Sequence, residues 1–362
     1  MGELHVFHAG VDFRSYPFKE INILLNPVED GANSNVIEKS KQLLKTTKST
    51  NVILDSGGNT IFNRERSDKG TKCDQTNPIK CGEEINLTPF HVVDIARQLQ
   101  PTAVVSLDSP LQHRKSELES EKEFKKKLKI NIEWAKETIE LANNLCPDVS
   151  VLIPIQARTL EQLEIFMEEL LNHPFTGVSI PYRNMKPSQL VLFLTRIYQF
   201  GIPWVHILGT TCFSYLAIAA YFARHGLFDI VSVDSMTWKQ SSKYSGFLSP
   251  HDLCSHQIDD ETIIPETAQN DCNCPFCLNI TFDKMKHSVY SDRNLFLCSH
   301  NAMVTEQVAE QLYKNSGSID QLEHYTMHKR SGDWKVSQAI EALYVADQLK
   351  DENIYAIESI LE

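Results

Sequence analysis

One stretch, Asn51-Val52-Ile53-Leu54-Asp55-Ser56-Gly57-Gly58, carries the pattern that decides the fold of this chain. A short apolar run ends there in a carboxylate, a hydroxyl group and two glycines. Apolar runs bounded in this way are typical of buried strands. The pattern recurs in Ala103–Leu107 before Asp108, Val151–Ile155 before Gln156, Trp204–Leu208 before Gly209, and Ile230–Val233 before Asp234. Polar groups are therefore expected at the carboxyl ends of several strands.

Short apolar runs alternate with longer helical patterns along residues 1–235, which favours βα units around a parallel sheet. The eight predicted strands are His5–Ala9, Ile21–Leu25, Val52–Leu54, Ala103–Leu107, Val151–Ile155, Gly177–Ile180, Trp204–Leu208 and Ile230–Val233. The predicted helices between them are Asn35–Lys45, Pro89–Leu99, Glu117–Asn144, Leu160–Leu171, Pro187–Phe200 and Cys212–His225. This count predicts an α/β fold, a (β/α)8 TIM barrel, with a C-terminal zinc-binding insertion and a helical tail.

Three regions are predicted along the chain. Residues 1–235 form the barrel core with the active site, residues 236–315 a zinc-binding subdomain with a helix that completes the barrel, and residues 316–362 a helical tail. Residues 235–298 are predicted to be irregular, and helices are expected at about His300–Lys314 and Trp334–Leu349. The long polar segment Asn59–Glu84 is predicted to be a functional lid or a mobile loop.

Composition indicates an ordinary globular protein, because 42% of the 362 residues are apolar and 23% are charged. No apolar run approaches the ~20 residues that a membrane helix needs. Nine cysteines without a secretory signal favour a cytoplasmic location. The net charge of −12 differs from the basic footprint that is usual for nucleic-acid binders. The Lys/Arg-rich segment Arg114–Lys129 is interpreted first as a solvated helix face with i,i+4 pairs, and second as a phosphate-contacting surface.

A metal site is predicted by Cys272-Asn273-Cys274-Pro275-Phe276-Cys277, with His300 supplied by a later segment. Three clustered thiolates and an imidazole match a tetrahedral Cys₃His zinc site. The other candidates for the fourth ligand are Cys298, which is the second choice, His287 and Cys254. Four protein ligands leave no open position for water, so the sequence predicts a structural Zn²⁺.

Carboxylates at strand ends predict the chemistry, because the carboxyl ends of barrel strands meet at one face. Asp55, Asp108, Asp234 and Gln156 are therefore expected to gather there. Two carboxylates in a cleft can act as nucleophile and as acid/base in retaining glycosyl transfer. Asp108 and Gln156 offer the acceptors and the amide that can read the hydrogen-bonding edge of a purine.

These motifs, together with His206-Ile207-Leu208-Gly209, look like the tRNA-guanine transglycosylase family, in order from about residue 50 to residue 310. The most specific parts are Asp-Ser-Gly-Gly at 55–58 and Cys-x-Cys-x-x-Cys at 272–277. The family is a zinc-containing (β/α)8 barrel. Its members remove guanine from a polynucleotide and install a 7-deazaguanine base.

The resemblance implies a role for each matching residue. It makes Asp234 the nucleophile that attacks C1′ and holds the sugar covalently, and Asp55 the general acid/base that takes the N9 proton of the incoming base. It makes Asp108, Gln156, Gly209 and Ser56 the base-binding residues. Asp229 is an alternative nucleophile, because family members often have Phe-Asp there, but Asp234 is preferred since it lies at the top of the strand.

The chain departs from the tRNA-modifying members in two places. Bacterial members follow the nucleophile with a Pro-Thr-Arg type segment, where this chain has Ser235–Ser242, and Gly177–Pro181 replaces their Gly-Gly segment. The sequence Asp-Ser-x-x-Trp at 234–238 looks more like the divergent branch that inserts 7-deazaguanines such as preQ0 into DNA. This favours DNA over tRNA, and duplex DNA would require flipping of the target guanine. Candidate phosphate contacts are Lys239, Lys243, Arg64 and Arg66.

The implied partners are a nucleic acid and a free 7-deazaguanine base, with no membrane, and the resemblance also allows a homodimer formed through the zinc region. Three alternatives to a DNA-modifying enzyme stay open: a tRNA-guanine transglycosylase, a non-catalytic partner subunit that keeps barrel and zinc, and a barrel hydrolase that releases a base from a free nucleoside. The presence of both Asp55 and Asp234 disfavours the non-catalytic subunit.

Overall fold

The computed structural model describes residues 1–11, 21–26, 35–47, 49, 51–57, 79–81, 85–111, 116–182, 185–258, 272–280, 282–330, 332–349 and 354–361. The strands in these ranges are β1 Glu3–Ala9, β2 Ile23–Leu25, β3 Val52–Leu54, β4 Ile79–Cys81, β5 Ile85–Leu87, β6 Ala103–Val105, β7 Ser150–Pro154, β8 Gly177–Pro181, β9 Trp204–Leu208, β10 Ile230–Ser235, β11 Gly246–Leu248 and β12 Ser255–Gln257. Eight of them close a barrel with the neighbour order β1-β10-β9-β8-β7-β6-β3-β2. The predicted (β/α)8 fold is confirmed.

The helices of the described ranges alternate with the barrel strands and then continue beyond the last one. They are α1 Asn35–Thr47, α2 Pro89–Leu99, α3 Glu117–Leu145, α4 Leu160–Glu168, α5 Pro187–Gln199, α6 Phe213–Arg224, α7 Thr237–Lys243, α8 Pro275–Asn279, α9 Phe282–Lys286, α10 Tyr290–Asn315, α11 Ile319–Lys329, α12 Trp334–Leu349 and α13 Ile354–Leu361. None of the described helices has the length and apolar character that crossing a membrane requires.

All eight predicted barrel strands are present, with ends that shift by a few residues. The strand that carries Asp234 runs on to Ser235. Asp234 is therefore the second-last residue of the strand and does not follow it. The prediction that residues 235–298 are irregular is wrong. That region contains the helix α7 and the antiparallel hairpin β11–β12, and the helix that follows begins ten residues earlier than predicted, at Tyr290 instead of His300.

The chain divides into two compact units, and the first comprises residues 1–19, 182–203 and 207–362. In this unit β1 pairs with β10 in parallel, from Glu3 opposite Ile230 to His8 opposite Ser235. The indole of Trp238 is 1% exposed and donates a hydrogen bond to the carbonyl of Ala9 over 3.2 Å. This contact fixes the start of α7 against the carboxyl end of β1.

The second unit comprises residues 20–181 and 204–206. It contains the parallel run β2-β3-β6-β7-β8, whose residues are mostly apolar and almost all buried, with Ser150 and Ser179 as the polar exceptions. Continuous apolar strands are expected where both faces of a parallel sheet are covered. The predicted loop Asn59–Glu84 lies outside the described residues, except for β4, which pairs with β5 in an antiparallel hairpin.

Candidate active site and metal centre

Asp108, Gln156 and Ser56 form one hydrogen-bonded group beyond the carboxyl ends of β6, β7 and β3. The Ser56 hydroxyl donates to Asp108 Oδ1 over 3.1 Å, and Gln156 Nε2 donates to Asp108 Oδ2 over 2.5 Å. Gln156 Oε1 accepts a hydrogen bond from the backbone N–H of Leu111 over 3.1 Å. All three side chains of the group are buried. The amide orientation of Gln156 is fixed, because each end of the amide has a partner of the opposite kind.

Asp55 follows β3 and is held by a residue that follows the neighbouring strand. Asn26 Nδ2 donates to Asp55 Oδ2 over 3.0 Å, while Asp55 Oδ1 accepts the backbone N–H of Ser56 over 2.8 Å. Gly57 comes next with a φ of 84°, a conformation that glycine adopts without steric cost. Asp55 is half-buried, so its carboxylate is oriented by its neighbours and still in contact with solvent. Gly58 of the motif lies outside the described residues.

Asp234 lies near the carboxyl end of β10 and is 5% exposed. Its Oδ1 accepts a hydrogen bond from the backbone N–H of Gly209, over 2.8 Å. Gly209 follows β9 and has a φ of 83°, which aims its N–H at the carboxylate. Asp229, the alternative nucleophile, immediately precedes β10 at the opposite end of the strand and is exposed.

The metal centre has the geometry that a Cys₃His site needs. The three Sγ atoms of Cys272, Cys274 and Cys277 lie 3.6, 3.4 and 3.3 Å from His300 Nδ1. A tetrahedral zinc ion with ordinary Zn–S and Zn–N bonds separates these ligand atoms by about 3.5 Å. All four ligand atoms lie within 4.8 Å of one another. The four residues can hold a metal ion, and their soft donor set suits zinc.

His300 is oriented by contacts outside the cluster. Its Nε2 donates to the carbonyl of Leu248 over 2.9 Å, and its ring stacks on Phe247 at a centroid distance of 3.9 Å. This hydrogen bond leaves Nδ1 as the ligand atom, which is the usual arrangement at metal-bound histidines. Hydrogen bonds from Cys272 and Cys277 hold the pKa of the Cys274 thiol well below its usual range.

The other predicted candidates for the fourth ligand make different contacts. Cys298 Sγ lies 2.8 Å from the Ser242 hydroxyl, and Cys254 Sγ accepts a hydrogen bond from the Arg330 guanidinium over 3.0 Å. His287 is exposed. The structure therefore selects His300 among the four candidates.

The predicted site residues thus fall into four local groups: Asp55 with Asn26, Asp108 with Gln156 and Ser56, Asp234 with Gly209, and the candidate metal ligands. Ser56 links the first two groups, because its N–H bonds Asp55 and its hydroxyl bonds Asp108. Sequence reasoning missed Asn26, although it follows the apolar strand β2 as the other polar residues follow theirs. Of the predicted phosphate contacts, Lys239 Nζ donates to the carbonyl of Gly10 over 2.6 Å and Lys243 is exposed. Arg64 and Arg66 lie outside the described residues.

Comparison with known proteins gives one family. Residues 23–182 match the family model described as queuine tRNA-ribosyltransferase. The match runs from β2 to the end of β8 and includes Asp55, Asp108 and Gln156, whereas Asp234 and the metal ligands lie beyond it. No curated protein matches the chain. The resemblance to the tRNA-guanine transglycosylase family is confirmed over the matched residues.

Proposed function

We propose that the chain is a guanine transglycosylase that exchanges guanine in a nucleic acid for a 7-deazaguanine base, because residues 23–182 match the family model described as queuine tRNA-ribosyltransferase. The observation that carries the proposal is the hydrogen-bonded group of Asp108, Gln156 and Ser56, which lies in the matched residues and offers a carboxylate and an amide side by side.

Base recognition is proposed to use the hydrogen-bonding edge of guanine. An ionised carboxylate has about four acceptor positions, and Ser56 and Gln156 each occupy one on Asp108. The ring N–H and the exocyclic amino group of guanine are donors that suit a carboxylate. The second hydrogen of the Gln156 amide suits the O6 acceptor. Burial of the group strengthens these bonds, because little water competes for them.

The exchange is proposed to run through two displacements. Asp234 attacks C1′ of the target nucleotide, an O–C1′ bond forms, and the C1′–N9 bond breaks while Asp55 gives a proton to N9 of the departing guanine. The incoming base then transfers its own N9 proton to Asp55 and attacks C1′, which releases Asp234. Proton and charge balance over the two steps, and the configuration at C1′ is retained. The Gly209 N–H supports this role by fixing the carboxylate of Asp234.

The metal is proposed to be a structural Zn²⁺ held by Cys272, Cys274, Cys277 and His300. The full set of protein ligands supports a structural rather than a catalytic role. When bound, zinc would join the helix α10 to the short segment Cys272–Asn279 and to the hairpin strand β11 through Leu248. No step of the exchange depends on it.

DNA is the proposed polymer, and tRNA is the alternative. The support is the segment Ser235–Ser242, which differs from the Pro-Thr-Arg type segment of the tRNA-modifying enzymes. Trp238 of this segment is buried against the Ala9 carbonyl and so serves packing. The exposed Lys243 is a proposed phosphate contact, and a free 7-deazaguanine base is the proposed second substrate.

The proposal is tested by incubating the protein with radiolabelled guanine and either tRNA or duplex DNA, and by measuring which polymer gains the label. We expect label in DNA. Label in tRNA alone would make the chain a tRNA-modifying enzyme, and label in neither polymer would refute the transglycosylase proposal. Release of base from a mononucleoside would instead indicate a hydrolase.

The nucleophile is tested by Asp234→Asn, which keeps the size of the side chain and removes its charge. We expect exchange to fall by at least about 10⁴-fold, as it does when a covalent nucleophile is lost. The matched control is Asp229→Asn, at the opposite end of the same strand, which should keep wild-type activity. Full activity in Asp234→Asn, or loss in Asp229→Asn, would reverse the assignment.

A further inference from the structure

The long helix α3 carries a buried polar stripe among otherwise exposed charges. Glu123, Lys127 and Asn131 follow one another at i, i+4 and i+8, so they share one face of the helix. Their exposed fractions are 7%, 2% and 3%. The neighbouring cations Lys125 and Lys129 are 72% and 84% exposed and form ordinary i,i+4 pairs with glutamates. The charge-rich helix therefore has two faces with different environments.

The polar stripe of α3 binds the backbone of the segment Asp108–Leu111, which follows β6. Asn131 Oδ1 accepts the backbone N–H of Ser109 over 2.6 Å, and Asn131 Nδ2 donates to the Ser109 carbonyl over 3.2 Å. One turn earlier on the helix, Lys127 Nζ donates to the carbonyl of Pro110 over 2.5 Å. Three successive polar groups of the loop backbone are thus bound by two side chains of α3.

The next residue of the same loop orients Gln156. The N–H of Leu111 donates to Gln156 Oε1, and Gln156 Nε2 donates to Asp108 Oδ2. The chain from Asp108 to Leu111 and the side chain of Gln156 therefore form a closed ring of covalent and hydrogen bonds. Since Lys127 and Asn131 bind the middle of this ring, a shift of either contact moves both Asp108 and Gln156.

The loop after β7 is tied to the same helix. Arg158 Nη1 donates to the Ser120 hydroxyl over 3.2 Å, and the amide of Gln162, in the first turn of α4 after this loop, donates to Glu121 Oε2 over 2.9 Å. Arg158 lies two residues beyond Gln156. One rigid element, α3, therefore sets the separation of the two loops that carry the candidate base-binding residues.

A buried ion pair at this place requires an explanation beyond stability. Lys127 Nζ lies 3.4 Å from Glu123 Oε1, and both side chains are almost fully buried. Removing two charges from water is costly, and a buried pair is often no more stable than apolar residues of similar volume. A buried ammonium group does, however, form shorter and stronger hydrogen bonds than a neutral donor. Such a bond to Pro110 suits a loop whose exact placement matters.

We propose that Lys127 is a positioning residue for base recognition, supported by Asn131 and neutralised by Glu123, which fixes Asp108 and Gln156 at the spacing that a purine edge requires. The assignment rests on the proposed function of Asp108 and Gln156. Lys127 itself contacts the loop backbone, so its effect on the base is transmitted through Pro110 and Leu111.

The test compares Lys127→Met, Lys127→Arg and the surface control Lys125→Met. Guanine affinity is measured by calorimetry, exchange by kcat and by KM for free guanine, and folding by thermal denaturation. A displacement of about 1 Å at a recognition group can cost up to about 100-fold, so we expect Lys127→Met to raise KM for guanine by roughly 10- to 100-fold. It should lower kcat less, Lys127→Arg should recover most of the affinity, and Lys125→Met should behave as wild type.

If Lys127→Met does not fold, Lys127→Gln and Asn131→Leu provide the same comparison, because each removes contacts to the loop backbone. Folded variants that bind guanine as tightly as wild type would overturn the positioning role while leaving the proposed function intact. Wild-type protein that neither binds nor exchanges guanine would refute the proposed function, and the positioning role with it. A loss of guanine affinity equal in Lys127→Met and Lys125→Met would also overturn the assignment.

Discussion

Each candidate catalytic or base-binding carboxylate is held by a donor from the loop after a neighbouring strand. Asp55 after β3 is bound by Asn26 after β2, Asp108 after β6 by Gln156 after β7, and Asp234 at the end of β10 by Gly209 after β9. Neighbouring parallel strands end at the same edge, so a polar residue after one strand can reach a polar residue after the next. Single side chains are in this way oriented by the order of the strands.

Gly209 offers a prediction at this scale. Its φ of 83° suits glycine, and a Cβ added there would meet no atom within 4 Å. Gly209→Ala should therefore lower the unfolding free energy only by the cost of holding alanine in a left-handed backbone conformation, about 1–2 kcal/mol as measured by urea titration. The same strain should turn the N–H away from Asp234 and slow guanine exchange.

Gly201→Ala is the matched control for this prediction. Gly201 has a φ of 74° and also has open space around an added Cβ, but its N–H bonds the Tyr198 carbonyl instead of a carboxylate. We expect a similar loss of stability with unchanged exchange activity. Equal activity in both variants would show that the Gly209 contact does not serve the reaction.

At the scale of elements, the candidate metal centre brings together three pieces of the chain. The cysteines come from the start of α8, His300 comes from α10, and His300 binds the carbonyl of Leu248 in β11. The buried core beside them consists of Phe247, Ile258, Met285 and Leu297. Clusters of this size contribute modestly, so a bound metal would supply much of the local stability.

Metal content provides the prediction for this centre. Cys274→Ser should abolish stoichiometric zinc, measured by elemental analysis, and should lower the melting temperature, because a buried ligand set is left without its ion. Cys298→Ser is the control, since Cys298 is equally buried but bonds Ser242. Zinc retained in Cys274→Ser, or lost in Cys298→Ser, would contradict the ligand set.

A second element-scale feature is the cluster around Arg330, which ties the loop of the β11–β12 hairpin to the end of α11. The guanidinium donates to Asp333 over 2.7 Å, to Asp252 over 3.3 Å and to Cys254 Sγ over 3.0 Å. Burial alone would raise the pKa of both carboxyl groups, but hydrogen bonds, including those from Cys254 to Asp252 and from Arg330 to Asp333, hold each pKa below its ordinary value.

A carboxyl group whose pKa is lower in the folded than in the unfolded protein stabilises the fold at pH values above its ordinary, unfolded pKa. This contribution is lost as the pH falls through the lowered pKa of the folded state. We therefore expect unfolding free energy to fall below about pH 4 in the wild type. Arg330→Gln should lose about 1–2 kcal/mol of unfolding free energy at pH 7. In urea titrations at a series of pH values, its unfolding free energy should fall less steeply toward acid pH than that of the wild type. The exposed pair of Arg97 and Asp94 is the control, and Arg97→Gln should change little.

At the scale of the whole molecule, an acidic protein is proposed to bind a polyanion. The net charge of −12 opposes association at long range, so binding must depend on a few local cations. Affinity for duplex DNA should fall with salt, and Lys243→Gln should reduce the slope of log K against log salt by roughly one unit. Lys129→Gln on the exposed face of α3 should leave the slope unchanged. A slope that is equal in Lys243→Gln and wild type would remove Lys243 from the contact surface.

Local patterns in the chain predicted the barrel because each buried strand is a short apolar run with a polar end. They predicted the region after Asp234 poorly. The hairpin β11–β12 and the helices α7, α8 and α9 are short, and elements of this length depend on tertiary packing rather than on a strong local period. The predicted helical tail is present as α11, α12 and α13, and of these only α12 had been given bounds from the sequence.

The sequence by itself determined the eight strands, the polar residues that follow them and the cluster of Cys272, Cys274 and Cys277, because apolar periodicity and cysteine spacing are local properties. It left four candidates for the fourth ligand, and the tertiary structure places His300 beside the three cysteines. Tertiary structure alone decided which polar groups meet. The bonds of Asn26 to Asp55 and Gly209 to Asp234 join residues 29 and 25 positions apart, and the two faces of α3 differ only in what packs against them. Burial converts one i,i+4 pair, Glu123 with Lys127, into a support for the base-binding loop, whereas identical spacing leaves Glu121 and Lys125 at the surface.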